Sequence, residues 1–122
     1  MNILFLDDNP VRTASFRQAV PYATTVETAA DCIKQIKAEQ WDWILLDHDL
    51  GGEEFADSSR ADTGMEVVRY LVEHKPEKIP QIIVHSLNSL ARERMCLDLI
   101  MAGYEATPLP FPLIFRMIDE HF

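Results

Sequence analysis

Residues 42–50, DWILLDHDL, carry the reading of the fold. Ile44, Leu45 and Leu46 form an apolar run without polar alternation, the pattern of a strand covered on both faces, and the run stops in three ionisable side chains, Asp47, His48 and Asp49. Two other stretches repeat the pattern: NILFL at 2–6 runs into Asp7 and Asp8, and QIIVH at 81–85 runs into Ser86, Leu87 and Asn88. Strands buried on both faces imply a parallel sheet. Between them, apolar residues return every three or four positions, as Ala29, Ile33 and Ile36, as Met65, Val68, Leu71 and Val72, and as Met95, Leu99 and Ala102, which is helical spacing. YATTVE (22–27) and YEATPL (104–109) read as weaker, shorter strands, and a last helix is expected at 112–121, giving five βα units.

Local signals agree with these boundaries. Asn9-Pro10 supplies an N-cap and a first-turn proline, Thr63 and Glu66 the two ends of a capping box, and Gly103 a helix stop. The stretch from Gly51 to Asp62 is too polar for a strand and too rich in Gly, Ser and Asp for a helix interior. Loops of that length in compact domains are often functional.

The 122 residues, 48% of them hydrophobic, suit one domain spanning 1–122. Eleven basic residues against 20 acidic ones, a formal charge of -9, exclude a broad nucleic-acid surface and leave room for a local phosphate pocket. Cys32 and Cys96 sit in helical apolar patterns without metal-ligand spacing, so both are expected as reduced core residues. MNILFLDDNP has no basic residue ahead of its short apolar run and is neither a signal peptide nor a membrane span. The expectation is a soluble cytoplasmic protein with no membrane partner.

In open parallel sheets, ligands bind beyond the carboxyl ends of the strands, where loops and helix N-termini converge. That edge should collect Asp7, Asp8, Asp47, His48, Asp49, His85, Ser86 and Asn88. Four carboxylates in a small volume repel unless some are protonated or a divalent cation lies among them, and hard oxygen ligands suit Mg²⁺.

In order and across nearly the whole chain, LFLDDNP, DWILLDHDL, TGMEVVRYL and AGYEATPLPF resemble the receiver domain of two-component response regulators. The resemblance implies a flavodoxin-like three-layer αβα sandwich with a five-stranded parallel sheet. It implies metal binding by Asp7 and Asp8, phosphoryl acceptance by Asp47, and a backbone carbonyl offered to Mg²⁺ at Asp49. Two positions depart from the pattern. The family's hydroxyl after the fourth strand aligns with His85 or with Ser86, and its lysine aligns with Leu109. Loss of that cation removes a charge-assisted contact of roughly 1.5–3 kcal/mol, so conventional switching is not expected.

HDL and HSLN resemble the cyclic-phosphate processing branch of receiver-like domains, which implies Mg²⁺-dependent processing of a 2′,3′-cyclic phosphate on a nucleotide or RNA end. Imidazoles that change charge near neutral pH suit that chemistry, with His85, His48 and Asp47 as catalytic candidates. His85 has the better strand register, and the same ring equally suits a hydrogen-bonded interior histidine. Ser86 and Asn88 are candidates for phosphate oxygens and are equally ordinary N-caps. Arg12 is the candidate substrate cation, with Arg60, Arg92 and Arg94 also on segments leaving this edge, where they read equally as solvated helix faces. His74 and His121 fit helix C-termini. The alternative function is a single-domain signalling module, phosphorylated on Asp47 or docking a partner protein without phosphorylation.

Overall fold

The computed structural model describes residues 1–50 and 57–122, so the first half of the Gly51–Asp62 loop lies outside the described residues. Strands and helices alternate: β1 (Ile3–Leu6), α1 (Pro10–Ala19), β2 (Thr24–Val26), α2 (Ala29–Ala38), β3 (Trp43–Leu46), α3 (Gly64–Glu73), β4 (Gln81–Val84), α4 (Ser89–Met101), β5 (Ala106–Pro108) and α5 (Phe111–His121). The five strands form one parallel sheet in the order β2-β1-β3-β4-β5. The chain steps outward from β1 to β2 and then crosses to β3 on the other side, which opens a crevice at the carboxyl ends of β1 and β3.

Strand alternation divides the core into two layers. Leu4, Leu6, Ile44, Leu46, Ile82 and Val84 face one side, where α2, α3 and α4 cover them with Cys32, Ile36, Val68, Leu71, Met95 and Leu99. Ile3, Phe5, Leu45 and Ile83 face the other, against Phe16 of α1 and Ile114 and Ile118 of α5. Phe5 stacks on Phe16 with ring centroids 4.2 Å apart. Each such fully buried side chain contributes about 1.5–3 kcal/mol. The result is the flavodoxin-like three-layer sandwich that the sequence implied.

Cap chemistry is mixed. Asn9 accepts from the amides of Val11 and Arg12, and Gly103, at φ 100°, closes α4 while its amide bonds Ile100 and the amide of Tyr104 bonds Leu99, each at 3.0 Å. The expected capping box at α3 does not form. Thr63 Oγ1 donates instead to Arg60 O at 3.0 Å, and Glu66 accepts from Arg69 at 2.8 Å, because the arginine offers the carboxylate a charged partner. Cys32 and Cys96 are buried and free, with both thiols pushed up by burial, Cys96 to about 11. Val72, included in the apolar pattern of α3, is 45% exposed.

Candidate functional site

The sheet ladder continues one residue past four strands and so fixes the site. Asp7 donates its amide to Val26 at 3.1 Å, Asp47 to Leu6 at 3.1 Å and His85 to Leu46 at 2.9 Å. Leu109 likewise donates to Val84 at 2.9 Å. These residues hold equivalent places at the carboxyl edge, and alternation turns their side chains to the layer of α1 and α5. Of the two positions open for the family's hydroxyl, His85 is therefore the one in register with Asp47. Leu109, at the lysine's place, packs on the apolar layer of α5.

Asp7, Asp8 and Asp47 each bring a carboxylate oxygen within 4.8 Å of the others. Asp7 and Asp47 are almost fully buried. Arg12 reaches into the cluster from the first turn of α1, with Nε 2.7 Å from Asp7 Oδ2, Nη2 3.0 Å from Asp7 Oδ1 and Nη2 3.5 Å from Asp47 Oδ2. Asn9 sets this approach, since its own amide donates to Asp7 Oδ1 at 2.9 Å while its side chain caps the helix that carries Arg12. The cation does not fully offset the crowding. Burial and then the charge of Asp7 push Asp47 up to about 7, against the opposing pull of Arg12 and of the His48 amide.

His85 lies beneath the cluster and is 1% exposed. Its ring stacks on Phe5 at 4.9 Å and meets Phe111 edge-on, and its Nε2 is 3.2 Å from Leu6 O. A carbonyl can only accept, so Nε2 carries the proton and Nδ1 presents a lone pair. That buried Nδ1 has no hydrogen-bond partner and points toward Asp7 Oδ2, 3.9 Å away. Burial pushes the ring down to about 4, which leaves it neutral at physiological pH. The three crowded carboxylates, a donor set made of hard oxygens, fit a small divalent cation, and the His85 nitrogen is not among those donors.

His48 is also fully buried but engages other partners. Alternation turns it to the opposite layer, where Nδ1 lies 2.8 Å from Asp49 Oδ1 and Nε2 2.8 Å from Ser58 Oγ. The two imidazoles thus do not share a partner. Asp49 also receives Asn88 Nδ2 at 3.5 Å, so its side chain is not among the three clustered carboxylates. Ser86 Oγ accepts from the Asn88 amide at 3.1 Å, and Asn88 Oδ1 accepts from the Ala91 amide at 3.2 Å, which makes both part of the α4 cap. Arg92 Nη1 donates to Ser86 O at 2.6 Å, whereas Arg60 pairs with Asp62 and Arg94 with Asp98 on exposed surface.

Two contributors escape sequence reasoning. Gly64 opens α3 against the end of β3, its amide donating to His48 O at 2.9 Å, and a Cβ there would lie 1.8 Å from Asp47 O. Arg69 ties Ser58 O at 2.7 Å and Arg60 O at 3.1 Å to α3, holding the segment that meets His48. Thr63-Gly64 before a helix is a visible signal for the first. For the second, the i,i+3 pair with Glu66 is visible in the sequence, but the bonds to the backbone carbonyls of Ser58 and Arg60 are not.

A five-stranded parallel α/β domain with three aspartates gathered at the β1/β3 crevice is a receiver-like domain. The model of the cyclic-phosphate processing receiver domain matches residues 2–100, and the chain belongs to that family. No curated protein matches the chain in sequence. Among solved structures, a CheY-like response regulator receiver domain from Methylobacillus flagellatus superposes with a TM-score of 0.69 at 12% identity, covering 98% of this chain and 97% of that one. The response regulator TrrA from Thermotoga maritima, solved with Mg²⁺ and BeF, gives 0.69 at 17% identity, covering 98% and 96%. The same TrrA in complex with the histidine kinase ThkA gives 0.65 at 18% identity, covering 98% and 96%. Identities this low establish the fold. Among the described residues no helix is long and apolar enough to cross a membrane.

Proposed function

We propose that this protein binds Mg²⁺ through Asp7, Asp8 and Asp47 and opens a cyclic phosphate, the 2′,3′-cyclic phosphate of a nucleotide or RNA end. The observation that carries the reading is the convergence of three carboxylates above a buried imidazole nitrogen that has no partner. The family's description supports the substrate class. Bound there, Mg²⁺ would neutralise the aspartates and the phosphoryl oxygens.

The chain's own groups divide the remaining work. Arg12, which spans Asp7 and Asp47, is the cation placed to turn its planar fork onto phosphate oxygens. Asn88 and Ser86 hold the first turn of α4 at the same edge, so that its amides face the anion. Ring opening forms a bond from a water oxygen to phosphorus and breaks one phosphorus–ribose oxygen bond. His85 Nδ1 takes the water proton and returns it to the released ribose oxygen. His48, locked between Asp49 and Ser58, acts as a positioning residue for the β3 edge.

The test is turnover of 2′,3′-cyclic nucleotides with and without Mg²⁺, compared with a His85→Phe control that keeps the stacking on Phe5. Mg²⁺-dependent turnover lost in the control supports the reading, and turnover equal to the control rejects it for those substrates. A second reading, phosphorylation of Asp47 in a signalling module, is favoured by Arg12 lying 3.5 Å from Asp47, a cation where Leu109 provides none. TrrA, solved with a histidine kinase, shares this fold. Acetyl phosphate labelling followed by intact-mass measurement decides it: a stable phosphoryl adduct lost in Asp47→Asn supports the module.

A further inference from the structure

A cavity of about 520 Å³ opens beside the acidic cluster, between the loop after β1, the start of α2 and the approach to α3. Its size suits a small molecule, for which sites of roughly 300–1,000 Å³ are usual. Ala29, Ala30, Leu50 and Ala61 give it apolar walls, and Asp8, Glu27 and Asp62 give it acidic ones. Asp8 belongs to the cavity and to the three-aspartate cluster alike. A molecule anchored by its phosphate at the cluster therefore has this cavity as the adjoining space for the rest of its body.

Asp62 is paired with Arg60, so among the described residues Asp8 and Glu27 are the carboxylates whose charge disfavours a second phosphate in the cavity. They favour a neutral group rich in N–H donors, and the apolar walls favour flat ring faces. Carboxylates accept from the exocyclic amino groups of bases, and the N1–H and N2–H₂ of guanine together match the two oxygens of one carboxylate. At the start of α2 the Thr28 side chain caps the Asp31 amide, and helix geometry leaves the amides of Ala29 and Ala30 without intrahelical acceptors, so they suit a ring nitrogen or carbonyl. Uracil offers a single N–H between two carbonyls and fits these walls poorly.

We propose that this cavity is a nucleobase subsite that prefers amino-bearing bases, guanine first, and discriminates against uracil. The inference rests on the phosphate site proposed above. The test uses the full chain with Mg²⁺ and compares guanosine 3′-monophosphate, uridine 3′-monophosphate and ribose 5-phosphate by calorimetry, together with amide NMR spectra titrated with guanosine alone. The guanosine nucleotide should bind at least about tenfold more tightly than the other two. Guanosine alone should shift the amides of Ala29, Ala30 and Ala61. Ala30→Phe, at an exposed helix position, should erase the preference while Mg²⁺ uptake persists.

Equal affinity for the guanosine and uridine nucleotides, or a preference that survives Ala30→Phe, overturns the subsite. The two proposals fail separately. If Mg²⁺ is not taken up but guanosine still shifts those amides, the phosphate site falls and the subsite stands. If Mg²⁺ and inorganic phosphate bind but guanosine shifts nothing there, the subsite falls alone.

Discussion

Arg12 and the divalent cation we propose would make competing demands on the same oxygens. The guanidinium takes both oxygens of Asp7 and reaches one of Asp47, so a metal entering the cluster must share or displace it. Arg12→Gln removes the tethered competitor. Without Mg²⁺ the variant should lose about 2 kcal/mol of stability, less than the roughly 3–5 kcal/mol of a broken, fully buried pair, because the arginine side chain is partly exposed. With the competitor gone, Mg²⁺ should bind about tenfold more tightly. Calorimetry and urea unfolding with and without Mg²⁺ check both signs, and weaker Mg²⁺ binding would show that Arg12 supports the metal instead. His85 poses a different residue-level question, since it stacks on Phe5 while leaving Nδ1 without a partner. His85→Phe keeps the stacking and deletes the unsatisfied atom, so stability should stay level or rise by about 1 kcal/mol while turnover is lost. A large loss of stability would instead mark the bond to Leu6 as the ring's main contribution.

Among the elements, α3 bears most directly on the site, because its first residue packs against the backbone at the end of the strand that carries Asp47. Gly64→Ala puts a methyl group where Asp47 O lies 1.8 Å away, so the start of the helix must move off β3. The expected cost is about 3 kcal/mol, with weakened Mg²⁺ uptake, because the Asp47 backbone shifts with it. Gly103→Ala is the control: its φ of 100° should cost about 1 kcal/mol, and Mg²⁺ uptake should not change. Equal Mg²⁺ affinities in the two variants would refute the coupling between α3 and the cluster. Elements of this kind were legible from periodicity and caps, as with NILFL, DWILL and QIIVH, whose burial on both faces left them unalternated. The capping box was not, because nothing in Thr63-x-x-Glu66 reveals that Arg69 lies one turn on and competes for the carboxylate.

At the scale of the molecule, the parallel sheet explains which site residues the sequence could place. Asp7, Asp47 and His85 follow buried runs, so register alone put them at one edge. The separation of His48 from His85 required knowing which residue beyond each strand faces which layer. The same burial makes the stability of the whole domain depend on pH through two groups of opposite sign. Asp47 has its folded value raised from 3.8 to about 7, so the stability it contributes is full below the unfolded value and is lost as pH rises through 7. His85 has its folded value lowered from 6.5 to about 4, so its contribution is present above 6.5 and is lost as pH falls through 4. Between about 4 and 6.5 the two slopes oppose each other, each of order 1.4 kcal/mol per pH unit. The metal-free protein should therefore show a nearly flat profile there and lose stability from pH 6.5 upward. Asp47→Asn removes the falling arm, so its stability should climb across the window, while His85→Phe should fall across it. Saturating Mg²⁺, by holding Asp47 ionised, should abolish the wild-type decline near pH 7. Urea unfolding at several pH values from 4.5 to 7.5 measures all four profiles, and an Asp47→Asn profile parallel to wild type would mean that this carboxylate carries no burial penalty for a cation to relieve.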